Sequence, residues 1–108
     1  MSYKVDTIAP FRKAAKKLNK KYPSLKDELA ELGRQLSIDP TLGTALGNNC
    51  YKIRLIIASK GKGKSGGARV ITHFYVAENT VFMLSIYDKS DKENISDSQI
   101  KALLKFID

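Results

Sequence analysis

Apolar positions along the chain repeat with two different periods. In the first third, Phe11, Ala14, Ala15, Leu18 and Tyr22 fall at i, i+3, i+4, i+7 and i+11, one stripe of a helix. Arg12, Lys13, Lys16, Lys17, Lys20 and Lys21 fill the rest of its surface. Pro10 suits its first turn, where a missing N–H costs nothing, and Pro23 ends it. Leu25, Leu29, Leu32 and Leu36 make a second stripe, opened by Ser24 as N-cap with Asp27 and Glu28 in the first turn. The two stripes predict a helical hairpin. Ahead of it, residues 3–8 read as a short strand, with Tyr3, Val5 and Thr7 on one face. Residues 37–49 read as a loop, broken by Pro40, Gly43, Gly47, Asn48 and Asn49.

The period then shortens to two. Tyr51, Ile53, Leu55 and Ile57 alternate onto one strand face, which leaves Lys52 and Arg54 together on the other. Residues 60–67 form a basic, glycine-rich loop. Strands are expected over 68–77 and 80–87, with a turn at Glu78-Asn79. A charged connection follows, and Ser96 with Gln99 makes a capping box for a last helix striped by Ile100, Leu103, Leu104 and Ile107. The predicted order is β-α-α-β-β-β-α: an α+β domain over residues 1–108, its antiparallel-rich sheet covered on one face by the helical hairpin and followed by a C-terminal helix.

Charge changes the picture more than composition does. Of 108 residues, 19 are Lys or Arg and 11 Asp or Glu, a net +8. The excess sits in residues 1–22 and 52–69, each carrying +6, and no acidic residue lies between Asp39 and Glu78. Two dense cationic segments favour a polyanionic partner through counterion release and field steering. One cysteine, Cys50, rules out an internal disulfide, and one histidine, His73, rules out a catalytic histidine pair. No metal site and no cofactor are expected. The N-terminus lacks an apolar signal segment and no apolar run is long enough for a membrane span, so a cytoplasmic protein is expected.

The loop contains two familiar spacings. Gly61, Gly63 and Gly66 match a dinucleotide fingerprint, and Gly63-Lys64-Ser65 matches the end of a P-loop. Both need a helix to follow, and Arg69 to Val76 is β-rich instead. What remains is a loop whose Lys60, Lys62 and Lys64 can close on a phosphate backbone.

Three blocks together carry a family resemblance: Tyr51-Lys52-Ile53-Arg54, then Lys62-Gly63-Lys64-Ser65-Gly66-Gly67-Ala68-Arg69-Val70-Ile71, then Tyr87-Asp88-Lys89-Ser90-Asp91-Lys92-Glu93-Asn94-Ile95. The chain resembles the RelE/HigB branch of type II toxin–antitoxin toxins, and Leu18 to Leu25 fits the helical hairpin of that branch. The resemblance implies a RelE-like fold with a basic cleft opposite the hairpin. It implies an endoribonuclease, an mRNA interferase acting in the ribosomal A site. Its implied partners are mRNA, the ribosome and a cognate antitoxin, with DNA met only through the antitoxin. That antitoxin should mask the cleft or displace the last helix. The lysine–arginine pair of the family falls on Lys52 and Arg54, its next-strand arginine on Arg69, and a basic residue after the last strand on Lys89. A tyrosine used by some relatives falls on Ile95, so Tyr87 is the candidate for that role.

Cleavage of RNA by its own 2′-OH needs a proton removed, phosphorane charge stabilised and a 5′ oxygen protonated. Arg54 and Arg69 suit the charge, because a guanidinium binds two phosphate oxygens and never deprotonates. Lys52, Lys64 and Lys89, crowded by other cations, suit proton exchange. Lys92 and His73 complete the candidate RNA contacts. Two other functions fit a basic α+β domain: a non-nucleolytic toxin of the ParE type that inhibits DNA gyrase, or a plain RNA-binding module. The first needs no converging cations, and the second wants aromatic residues together on an open sheet face, whereas Phe74 and Tyr75 alternate.

Overall fold

The computed structural model describes residues 2–60, 67–91 and 94–107. Its elements are β1 (Lys4–Thr7), α1 (Ala9–Lys21), α2 (Leu25–Ile38), β2 (Thr44–Gly47), β3 (Cys50–Leu55), β4 (Ala68–Tyr75), β5 (Thr80–Asp88) and α3 (Asp97–Leu104). The five strands make one sheet in the order β1-β5-β4-β3-β2. β2 to β5 run antiparallel in sequence, and β1 lies parallel to β5 at the edge, with Lys4 opposite Thr80 and Thr7 opposite Met83.

The mixed architecture agrees with the sequence reading, with one strand more. Thr44–Gly47 lies inside the expected loop and pairs with β3. Asn48 and Asn49, read as breakers, are a hairpin turn instead, both at positive φ (54° and 57°). A two-residue turn with both φ positive matches the twist of the strands it joins, and asparagine tolerates that conformation.

The helical hairpin covers one sheet face. Its stripes are the expected ones: Phe11, Tyr22, Leu25, Leu32 and Leu36 are buried, and Ala14, Ala15, Leu18 and Leu29 pack half-buried around them. Each fully buried leucine contributes about 1.5–3 kcal/mol relative to an exposed one. From the sheet, Ile53, Val70 and Ile86 form a cross-strand row on this side. The β4–β5 register slips between Ile71 and Thr72, where Leu84 is the extra residue. Ser24 does not cap α2 through its side chain. Its hydroxyl instead sits 2.7 Å from that of Ser59 and bonds Glu28, whose carboxylate accepts the Ala58 N–H at 2.7 Å. The hairpin thus grips the chain just where it enters the basic loop.

The other sheet face carries Lys52, Arg54, Arg69, Ile71, Ser85 and Tyr87, by register and alternation. α3 lies on this side, where Ile95, Gln99, Ala102, Leu103 and Phe106 surround Ser85. Its capping box is formed as expected: Ser96 Oγ accepts from the Gln99 N–H (3.2 Å) and Gln99 Oε1 from the Ser96 N–H (2.9 Å). The helix ends at Leu104, a turn before the expected Ile107. Among the described residues no helix is long and apolar enough to cross a membrane.

Candidate active site

Two alignments build the site. Arg54 on β3 stands opposite Arg69 on β4, and Arg69 opposite Tyr87 on β5. Residues directly opposite in antiparallel strands share a face, so both guanidinium groups emerge side by side. Lys52, two residues before Arg54, joins them. Gly67 makes the approach possible. Its φ of +70° and its closeness to the Leu55 carbonyl leave no room for a side chain, and its own carbonyl accepts the Lys89 N–H at 3.2 Å. Lys89 is set further by Asp88, whose Oδ1 accepts from the Ser90 N–H (3.0 Å) and hydroxyl (2.7 Å) while Oδ2 accepts from the Tyr22 hydroxyl (2.9 Å).

The result is a cavity of about 340 Å³ lined by Thr44, Lys52, Arg54, Arg69, Lys89 and Asn94. Four of the six lining side chains are cationic and none is acidic. Arg69 is buried, with Nη1 donating to the Ala68 carbonyl at 3.2 Å; Lys52 and Lys89 are half-buried and Arg54 is exposed. Like charges placed directly opposite across a strand pair repel. An anion seated between them converts that repulsion into binding. The pocket has the charge to hold an anion.

Four of the expected catalytic residues therefore converge. Tyr87 does not line the cavity. It is buried, directly opposite Arg69 across the β4–β5 pair. Burial pushes its phenol pKa up and the Arg69 charge opposes this, so the phenol is neutral at physiological pH. His73 also lies outside the cavity, two residues beyond Ile71 on the same face. It stands opposite Cys50, with Nδ1 3.6 Å from Sγ. Burial lowers its pKa, countered by a hydrogen bond with the Asn48 backbone. Burial pushes the Cys50 thiol up to about 11, which makes it an inert packing group, as its size suggests. Lys62, Lys64 and Lys92 lie outside the described residues, as does the side chain of Lys60.

Thr44 and Asn94 line the cavity without having been singled out. Thr44 was invisible because its strand read as a loop. Asn94 sat inside the third motif block, overshadowed by the charges beside it. Its Oδ1 accepts from Lys52 Nζ at 3.3 Å. Among the described residues no three of His, Cys, Asp and Glu are grouped to hold a metal ion.

The fold has solved counterparts. A mutant E. coli RelE toxin in its free state matches with a TM-score of 0.66 at 19% identity, covering 99% of each chain. A chain of the intact E. coli RelBE toxin–antitoxin complex matches with a TM-score of 0.59 at 20% identity, covering 79% of this chain and 94% of that one. A metal-bound toxin from Helicobacter pylori matches with a TM-score of 0.51 at 20% identity, covering 83% and 98%. The family model for the RelE toxin of the RelE/RelB toxin–antitoxin system matches residues 4–107. With nearly its whole length inside that model, this chain belongs to the RelE family of toxin–antitoxin toxins.

Proposed function

We propose that this toxin is an endoribonuclease that cleaves mRNA, in the ribosomal A site, and so arrests translation. The observation that carries the reading is the convergence of Lys52, Arg54, Arg69 and Lys89 on one cavity of about 340 Å³. The chemistry is the internal attack of a 2′-OH on the adjacent phosphate. Arg54 and Arg69 hold the non-bridging oxygens and stabilise the charge that grows on them in the phosphorane. Lys52 and Lys89 flank that position. One, as general base, takes the 2′-OH proton and the other, as general acid, gives a proton to the leaving 5′ oxygen. Cationic side chains thereby supply both charge and protons, and the reaction requires no metal. A cognate antitoxin, presenting acidic or apolar segments, covers the cleft or displaces α3.

The test is induction of wild type beside Arg69→Ala, with primer extension on a reporter mRNA under translation. Removing one transition-state donor costs about 10²–10³ in rate. Discrete in-frame cuts that vanish in the variant support the reading. Toxicity without cuts points to the non-nucleolytic alternative.

A further inference from the structure

We propose that Asn94 is the positioning residue for Lys52, holding its ammonium group in the cleft for the cleavage inferred above; the proposal rests on that ribonuclease reading. Lys52 is a half-buried, flexible cation on the cleft floor. A lysine stem carries about 2 kcal/mol of rotamer entropy, and here its neighbours are the cations Arg54, Arg69 and Lys89. Those charges push the ammonium outwards. One contact pulls it back, the 3.3 Å hydrogen bond from Nζ to Asn94 Oδ1. An ammonium only donates, so the amide must present its oxygen.

The residue type fits this task. A carboxylate at position 94 would pair with Lys52 as an ion and cancel part of the field that draws phosphate. An apolar side chain would release the lysine. A neutral amide orients the ammonium and leaves the cleft fully cationic. The anchor sits beside regular structure. Asn94 lies two residues before the Ser96 capping box, and the intervening Ile95 packs against the core. The position of the Lys52 ammonium is thus tied to the docked N-terminus of α3.

The experiment uses full-length Asn94→Ala and Asn94→Asp, with melting curves to confirm folding. Two readouts are taken: single-turnover cleavage of mRNA on programmed ribosomes, and the NMR relaxation of the Lys52 ε-methylene, assigned with Lys52→Arg. A misplaced reacting group costs about a hundredfold, so Asn94→Ala should lose about that much in the saturated cleavage rate with little change in half-saturation. Its Lys52 ε-methylene should become more mobile, having lost its acceptor, and that of Asn94→Asp should stay ordered. Asn94→Asp, which restores an acceptor, should keep more of the cleavage rate than Asn94→Ala. Unchanged Lys52 mobility in Asn94→Ala overturns the proposal, and so does an unchanged cleavage rate in Asn94→Ala while wild type is active. Absence of cleavage by wild type overturns the ribonuclease reading first, and the proposal with it.

Discussion

At the scale of single residues, the cleft sets stability against function. Arg54 and Arg69 face each other across β3 and β4, an arrangement that a sheet built only for stability avoids. Arg54 is the exposed member, so truncating it relieves repulsion without opening a cavity. Arg54→Ala should therefore raise the urea midpoint, by about 0.2–1 kcal/mol in unfolding free energy, while abolishing RNA cleavage. A lowered midpoint would mean that the pair is not under strain. His73 makes the opposite kind of prediction. Its folded pKa is depressed below the usual 6.5 by burial, so the neutral ring stabilises the fold above that pH and the contribution is lost as pH falls through the folded value. Cys50 and Tyr87 act on the alkaline side: their folded pKa values are raised, so their contributions are intact below the unfolded values and fade as pH climbs, for Cys50 between about 9 and about 11. Melting temperature measured across pH should flatten below pH 6.5 in His73→Gln and above pH 9 in Cys50→Ala. Neither change should alter RNA cleavage, because neither side chain lines the cleft.

At the scale of elements, α3 is the piece most lightly held. It has eight residues, one buried side chain (Ile100), and lies over the face it shares with the cleft. A helix that short depends on its cap. Ser96→Ala removes the hydroxyl half of the capping box, the bond from the Gln99 N–H, and should cost about 1 kcal/mol, read as faster amide exchange over residues 97–100 with the sheet amides unchanged. Exchange that stays slow would show that packing alone holds the helix. The elements legible in the sequence were those whose periodicity is long or whose cap is chemical: both hairpin helices, β3 to β5, and α3 from Ser96. What stayed hidden depended on pairing. β2 has four residues, none of its side chains is fully buried, and it owes its strand conformation to hydrogen bonds with β3. The parallel partnership of β1 with β5 joins segments more than seventy residues apart, and no local pattern encodes it. Ser24 looked like a cap because its residue type and spacing fit one, but the hydroxyl found a tertiary partner in Ser59.

At the scale of the whole molecule, the described cations of the two basic segments end up on opposite sides of the sheet. The lysines of α1 surround the helical hairpin, whereas Lys52, Arg54 and Arg69 line the cleft on the far face. Charge counting alone could not separate them, because each segment carries the same excess. Strand alternation did separate Lys52 and Arg54 from the core, and the register then brought Arg69 alongside. The arrival of Asn94 and Thr44 at the same cavity required the tertiary fold. This separation predicts which cations bind RNA. Each phosphate contact to a single strand contributes about −0.7 to the slope of log affinity against log salt. A short RNA with a 2′-deoxy residue at the target position binds without being cut, so the slope can be measured directly. Lys52→Ala and Lys89→Ala should each make the slope shallower by about 0.7. Lys13→Ala and Lys16→Ala, equal in charge but exposed on α1, should leave it unchanged. If the α1 variants flattened the slope instead, the RNA would be running over the helical hairpin, and the cavity between the strands would not be where the phosphate sits.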